Sequence, residues 1–241
     1  MSGQVSGQSF QCPSCGAPVL PKGSQAVVSC PYCHTTVIVP ETLRQSAEPV
    51  ARTTTVLETF ANNDNGWQLG VEKSRFFTSL ERAVREGRYR WDAQRGPDSS
   101  TTTAFLPAYQ VADFDVQVNA KHIVGSKTGS SWGVVFRGQD YLNYYVCRVT
   151  DNQLFTLACV EQGKWRVLVD WTSARAIKPY GVNQLGVLGR GAHFVCSING
   201  EVAAEVDDDR FGRGYVGLAL ETYIPGERTI VDFLDVELRP L

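Results

Sequence analysis

The sequence predicts an all-β protein in which a small cysteine-rich unit precedes a large β-sandwich or jelly roll. Two Cys-x-x-Cys pairs lie close together near the start. From Val56 to the end, short runs rich in Val, Phe, Tyr and Trp recur between Gly, Asn and Asp turns, and only residues 79–86 suggest a helix. Twelve predicted strands in one open sheet would leave a face uncovered, so we expect two stacked sheets.

The cysteine-rich unit contains the pairs Cys12/Cys15 and Cys30/Cys33. Each pair can form a tight turn that directs two thiolates to one point, and four soft ligands suit a closed tetrahedral Zn²⁺ site. Fourteen residues separate Cys15 from Cys30, which is enough for a hairpin that carries both turns. We therefore expect a structural zinc ion at these four cysteines, and we expect metal binding to drive the folding of so small a unit.

Residues 12–40 look like the short zinc ribbons found at the ends of many bacterial multidomain proteins. His34 stands where glycine is more usual in that pattern, and it is an alternative ligand. Up to Pro40 the unit has one basic residue, Lys22, whereas nucleic-acid binding normally needs several Lys or Arg to neutralise phosphates. We expect a structural or docking role for the ribbon and no nucleic-acid partner.

Composition changes along the chain predict four segments. Residues 1–9 are rich in Gly, Ser and Gln and indicate a disordered lead-in, and residues 10–40 form the ribbon. Residues 41–55 are polar with a central proline, which is typical of a linker, although a short helix over 41–48 is an alternative. Residues 56–241 form the sandwich.

Charge and cysteine usage indicate the cellular setting. The 241-residue chain has a net charge of −2, shows no apolar run of membrane-spanning length and starts without a secretory signal pattern. Three further cysteines, Cys147, Cys159 and Cys196, lie in strand-like stretches and leave an odd count, so they are interpreted as buried small hydrophobes. With a thiolate metal site, this usage favours a reducing compartment, the cytoplasm, and no membrane partner.

The predicted strands of the sandwich cover residues 55–60, 88–93, 114–122, 131–137, 144–150, 153–161, 164–170, 183–188, 193–198, 201–206, 214–221 and 229–238. Asn199-Gly200 joins two of them as a two-residue hairpin turn. The stretch 132–136 is apolar on both faces. It should lie centrally, covered on one side by the facing sheet and on the other by loops or a bound partner.

The sandwich also resembles a known fold family through turn and core residues spread over about 56–240. The residues that carry the resemblance are NGW at 65–67, EGRYR at 86–90, GVVFRGQD at 133–140, NYY at 143–145, GKW at 163–165, NQL at 183–185, SING at 197–200 and GRGYVGL at 212–218. They resemble the concanavalin A-like jelly rolls of the laminin-G-like and keto-disaccharide hydrolase type. The resemblance implies this fold, in which many members bind sugars or proteins and some cleave glycosidic bonds.

No catalytic residues are predicted. Glycoside hydrolysis needs two facing carboxylates, and the nearest pattern, Asp232, Asp235 and Glu237, is unevenly spaced on the last strand. Neither His122 nor His193 has a nucleophile signature nearby. The turn 207–209 contains three aspartates, and a calcium site there with Asn62, Asn63 and Asp64 is a second cofactor option.

Aromatic residues give the functional hypothesis. Sugar rings stack on Trp or Tyr while polar groups bond their hydroxyls, so Trp132, Arg137, Tyr145 and Trp165 could form a ligand-binding face, with core packing as the alternative. We expect a non-enzymatic zinc-binding adaptor or recognition protein whose sandwich binds a protein or glycan. The alternative is a carbohydrate-active enzyme that hydrolyses a glycosidic bond.

Overall fold

The computed structural model describes residues 10–13, 15–19, 27–29, 31–32, 36–38, 54–98 and 100–241, and for 27–29, 36–38 and 100 it describes the backbone alone. The chain divides into two compact units, Met1–Val50 and Ala51–Leu241. Every regular element in the described ranges is a β-strand. Among these residues no helix is long and apolar enough to cross a membrane.

The first unit contains two small antiparallel pairs. Strand β1 (Phe10–Gln11) pairs with β2 (Pro18–Val19), and β3 (Val27–Ser29) pairs with β4 (Thr36–Ile38). The last three coincide with the strand-like pieces around the predicted zinc turns. The predicted lead-in (1–9) and residues 41–53 of the predicted linker (41–55), with its alternative helix over 41–48, lie outside the described residues.

The second unit is a sandwich of two antiparallel sheets, which confirms the predicted all-β jelly-roll class. The larger sheet has nine strands in the order β17-β16-β15-β10-β19-β8-β7-β6, and β5 also pairs with β19. Its strands are β5 (Val56–Glu58), β6 (Gly70–Glu72), β7 (Phe77–Arg85), β8 (Arg88–Arg95), β10 (Phe114–Val124), β15 (Val182–Arg190), β16 (His193–Ile198), β17 (Glu201–Asp207) and β19 (Arg228–Pro240).

The smaller sheet has six strands in the order β14-β13-β12-β11-β18-β9. Its strands are β9 (Ser100–Val111), β11 (Ser130–Asp140), β12 (Asn143–Val149), β13 (Leu154–Glu161), β14 (Lys164–Ser173) and β18 (Gly214–Thr222). As predicted, the doubly apolar strand β11 is internal, between β12 and β18. The edge strands of this sheet are β14 and β9.

The core between the sheets follows from period-two alternation, because successive side chains of a strand point to opposite faces. Every second residue of β10 from Phe114 to Ala120 is buried. Its neighbours across the sandwich include Phe136, whose ring centre lies 5.9 Å from that of Phe114. Asn199 and Gly200 have φ angles of 52° and 84°, as the predicted hairpin turn between β16 and β17 requires.

The predicted helix over 79–86 is wrong, because residues 79–85 belong to β7 and Glu86 begins the turn that follows it. The spacing of Leu80, Ala83 and Val84 imitates a helical stripe, but Leu80 and Arg82 are buried at alternate positions. Arg82 stands opposite Trp91 of β8, with its guanidinium 5.0 Å from the tryptophan ring centre. This cross-strand packing outweighs the helix propensity of the segment, which therefore forms a strand.

Strand β9 was not predicted, since it contains Pro107, which cannot donate a ladder hydrogen bond. The structure accommodates the proline in two ways. Strand β9 lies at the edge of its sheet, and its register with β18 shifts between the pairs Phe105/Gly217 and Gln110/Tyr215. Pro107 therefore falls in an irregular stretch on an edge strand.

Candidate functional site

Three of the four predicted ligand-binding residues lie in the core. Trp132 and Tyr145 are buried between the sheets, and the buried guanidinium of Arg137 donates to the carbonyl oxygens of Ala112 and Phe211, each at 2.9 Å. Their burial corrects the hypothesis of a shared stacking face, since buried side chains cannot stack on a ligand from solution. Trp165 alone is accessible, at 43 % exposure.

Trp165 lies at one margin of the outer face of the six-stranded sheet, the face opposite the core. Residues paired directly across neighbouring strands share a face, and the register therefore defines this surface. One row runs through Phe105, Gly217, Val135, Val146, Ala158 and Val167. The next row runs through Thr103, Ala219, Gly133, Arg148 and Thr156.

The centre of the outer face is small and apolar. Val135, Val146 and Ala158 form a cluster with their neighbours that is separate from the main core and almost fully buried. Gly133 and Gly217 lie in the middle of this face, and a Cβ on either glycine would collide with the backbone of the adjacent strand. Large side chains are therefore found at the margins, near the edge strands β14 and β9.

At the β14 margin, Arg148 is packed against two tryptophans. Its guanidinium carbon lies 4.5 Å from the ring centre of Trp165 and 5.7 Å from that of Trp171, which is itself 38 % exposed. Both distances lie within the range of cation–π attraction. Burial lowers the pKa of Arg148, but an arginine remains protonated at neutral pH. The cation thus holds two partly accessible indole rings at one site.

A polar network fixes the side chain of Arg148. Arg148 forms an ion pair with Glu221, and the hydroxyl of Tyr223 donates to the same carboxylate at 3.3 Å. Ser131 Oγ lies 2.6 Å from the Tyr223 hydroxyl. Burial raises the pKa of Tyr223, so this hydroxyl stays protonated. These contacts therefore fix the position of the Arg148 side chain on the outer face.

A cavity of about 330 Å³ adjoins this network. Trp171 and Tyr223 supply its aromatic walls, and Thr128, Thr150 and Asn152 add hydroxyl and amide groups. Its size lies at the lower end of the range for small-molecule sites, which are largely apolar with a few polar groups. The arrangement suits a ring with one apolar face and several hydroxyls.

Sequence reasoning identified Trp165 but missed Arg148, Trp171, Glu221 and Tyr223. Two signals could have found them. Arg148 falls on the face of β12 opposite the buried Cys147 and Val149, and Glu221 lies opposite Ser131 in the β11–β18 ladder. The position of Trp171 depends on the irregular pairing of β13 with β14, which a regular alternation does not predict.

The acidic residues of β19 serve the fold. Asp232 is buried, and its two oxygens accept from Arg90 Nε and Nη2 at 2.7 Å each. Asp235 accepts from the Asn119 amide at 2.8 Å. They belong to the nine-stranded sheet, away from the outer face of the smaller sheet. These ion pairs and hydrogen bonds engage both carboxylates.

Two aspartates of the turn 207–209 also bond to protein side chains. Asp208 accepts from the Tyr145 hydroxyl at 2.5 Å and forms an ion pair with Arg210, and Asp207 lies 2.9 Å from His193 Nδ1. In the part of the chain that the structure describes, no three His, Cys, Asp or Glu side chains converge as a metal site. The calcium option gains no support from this turn.

The predicted zinc site is described only in its first half. Gly16 donates its backbone N–H to the Cys12 carbonyl at 2.8 Å, and Cys12 N–H donates to Ala17 O at 2.9 Å, which closes a tight turn around Cys12 and Cys15. The turn suits a pair of thiolate ligands. Cys30 and Cys33 lie outside the described residues, so the four-cysteine site stays a prediction.

No protein-family model and no curated protein matches this chain in sequence. Solved structures match its fold. A structure named as a native glycosidic hydrolase is 10 % identical with a TM-score of 0.60, and the match covers 78 % of this chain and 97 % of that one. The laminarinase catalytic domain of Thermotoga maritima MSB8 is 8 % identical with a TM-score of 0.55, covering 77 % and 97 %.

A third match is the β-glucanase of Bacillus licheniformis, at 11 % identity and a TM-score of 0.54, covering 78 % of this chain and 98 % of that one. Together these matches show the concanavalin A-like jelly-roll fold. At such identities they establish the architecture and leave the chemistry to be argued from the residues.

Proposed function

We propose that this protein recognises a glycan at the β14 margin of its six-stranded sheet, without cleaving it. The observation that carries the proposal is the packing of Arg148 against Trp165 and Trp171 beside the 330 Å³ cavity. Indole rings that are packed against a cation and still partly exposed offer a sugar an apolar stacking surface at little entropic cost. Similar folds named as a glycosidic hydrolase, a laminarinase and a β-glucanase support the choice of ligand class.

The number of carboxylates favours recognition over hydrolysis. A glycosidase needs two carboxyl groups about 5–5.5 Å or about 6.5–9.5 Å apart across the scissile bond. Glu221 pairs with Ser131 and Thr101 in a third row of the outer face, and it is the one carboxylate in these three rows of described residues. Arg148 and Tyr223 both engage it. A second acid for inversion or retention is not present in those rows.

Binding to a panel of neutral oligosaccharides, followed by calorimetry on the best ligand, tests the proposal. Trp165→Ala and Trp171→Ala should each weaken binding by about tenfold or more, as loss of a central aromatic contact usually does. The matched control is Leu57→Ala, which removes an exposed apolar side chain from the nine-stranded sheet. Equal affinity of both tryptophan variants and the wild type would contradict the site.

A hydrolase on the same sandwich is the second candidate, favoured by the position of Glu221 on the outer face. It predicts release of new reducing ends from a bound oligosaccharide and their loss in Glu221→Gln. We expect binding without turnover. Time-dependent product formation that Glu221→Gln abolishes would replace the recognition proposal with the enzymatic one.

The zinc ribbon keeps its proposed role as a structural and docking module beside the glycan-binding sandwich. Its short strands could pair with an extended segment of a partner protein. Retention of a partner in a pull-down should be lost in a Cys12→Ser/Cys15→Ser variant while the sandwich keeps its melting temperature. Unchanged capture would remove docking from the proposal.

A further inference from the structure

A second, polar cavity of about 280 Å³ lies at the opposite edge of the six-stranded sheet, between β9 and the strands β6 and β7 of the larger sheet. Thr101 and Thr103 of β9 line it and are the cross-strand partners of Glu221 and Ala219 on the outer face. Tyr141 also lines it, with its ring centre 5.5 Å from that of Phe105. The cavity therefore opens beside the same face that carries the tryptophan site at its other edge.

Arg82 is the unusual residue in this cavity. It is only 4 % exposed, because it points between the sheets from β7, and one Nη donates to Thr102. Its Nε has no hydrogen-bond partner among the residues that the structure describes. The ring of Trp91 attracts the guanidinium, but the Nε–H stays unpaired in the described part of the chain, and burying a cation costs free energy unless its hydrogen bonds are made.

Among the described residues, Glu72 is the carboxylate that pairs with Arg82. Its Oε2 lies 3.5 Å from Arg82 Nη1, which is longer than a good charge-assisted hydrogen bond, and its side chain is 46 % exposed. Strand β6, to which Glu72 belongs, is exposed along its whole length. A carboxylate thus already stands at the mouth of the cavity, on a side chain that can move out into solvent.

We propose that this cavity is a subsite for a carboxylate group of the glycan, bound by Arg82 in place of Glu72. The guanidinium fork matches a planar carboxylate, and the threonine hydroxyls of the lining can bond the adjacent sugar oxygens. Six strands at a spacing of about 4.8 Å place the two margins about 24 Å apart. The ligand class is therefore an oligosaccharide with uronic acid units, and this inference rests on the proposed glycan recognition.

The test compares a hexuronate oligosaccharide with the same oligosaccharide after its carboxyl groups have been reduced to alcohols. The wild type should bind the hexuronate form about tenfold to a hundredfold more tightly, as expected for a charge-assisted contact. Arg82→Met should remove this preference, and Arg82→Lys should keep part of it. Arg85→Met is the matched control, because it removes an exposed arginine from the same strand.

Glu72→Gln gives a result of opposite sign and does not depend on the stability of the Arg82 variants. Removing the competing carboxylate should strengthen hexuronate binding and leave binding of the reduced form unchanged. Acetate alone, which carries the group without sugar rings, should bind far more weakly than the oligosaccharide. Equal affinity for both oligosaccharides would overturn the subsite and leave the proposed function intact. Binding of neither would also overturn it, and the tryptophan variants with neutral sugars would then decide the proposed function.

Discussion

Arg148 and Trp165 are in cation–π contact across the ladder of β12, β13 and β14, with 4.5 Å between the guanidinium carbon and the indole ring centre. The Arg148 side chain therefore stabilises the sheet and also positions the accessible ring of Trp165. The same guanidinium pairs with Glu221, so one residue fixes both the polar and the aromatic part of the outer face.

Arg148→Met should lower the free energy of unfolding by about 1–3 kcal/mol, because it leaves the Glu221 carboxylate without its cation. Urea unfolding followed by tryptophan fluorescence measures the loss. The double variant Arg148→Met/Glu221→Gln should recover part of it, and Arg166→Met, which removes an exposed arginine from β14, should be nearly neutral. A double variant with the summed loss of both single variants would show that the two residues are not coupled.

We expect the contribution of Asp208 to the free energy of unfolding to depend on pH. Burial would raise the pKa of Asp208, but hydrogen bonds from the Tyr145 hydroxyl and from Arg210 lower it below its usual value. The folded state therefore binds the proton less readily than the unfolded state. This stabilisation is complete above the unfolded-state pKa and is lost as the pH falls through the folded-state pKa.

At neutral pH, Asp208→Asn should reduce the free energy of unfolding by about 1.5–3 kcal/mol, the range for hydrogen bonds to a charged group. The difference from the wild type should shrink as the pH falls below the ordinary aspartate range, since the wild-type carboxylate then takes up its proton. Denaturant titrations at several pH values measure this. The exposed neighbour Asp209 provides the control Asp209→Asn, and a pH-independent gap would contradict the assignment.

The pair of buried Asp232 with the partly exposed Arg90 should be a stability determinant. Asp232→Asn leaves Arg90 without its bidentate carboxylate and should cost about 1.5–3 kcal/mol, the range for hydrogen bonds between charged groups when one partner reaches solvent. Asp235→Asn, on the same strand but half-buried with one amide contact, should cost much less. Thermal unfolding compares the two. Equal losses, or a loss of glycan binding without loss of stability, would argue for a different role of this strand.

The sequence predicted the sandwich far better than the site, for a physical reason. Strand existence follows from local alternation, which is why the strand predicted over residues 114–122 is correct, whereas the helix-like spacing of 79–86 and the proline in β9 concealed two other strands. The site depends on which of two faces each large side chain takes. Trp132 and Trp165 look alike in the sequence, but Trp132 lies on an internal strand facing the core and Trp165 on an edge strand facing outward.

The order in which the strands pair within each sheet could not be inferred from the sequence of each strand either. Arg82 and Thr102 are twenty residues apart and belong to different sheets, yet they meet because β7 and β9 lie near the same open margin of the sandwich. Arg148 and Glu221 meet through the ladder of β12, β11 and β18. Such contacts depend on strand order and register, and neither the amino-acid composition nor the spacing of residues in the sequence predicts these.

The four-cysteine site predicts that metal removal unfolds the first unit alone. Purified protein should contain about one zinc per chain, since four thiolates form one closed tetrahedral site. A strong chelator should abolish protection of residues 10–40 from proteolysis, because metal binding supplies most of the folding free energy of so small a unit. The sandwich should keep its cooperative transition, since its core lies wholly within the second unit.

A Cys12→Ser/Cys15→Ser variant should behave like the chelated wild type, with Cys159→Ser as the control for loss of a buried thiol. Native disulfides between these cysteines, or metal-free protein with an intact first unit, would rule out the zinc site.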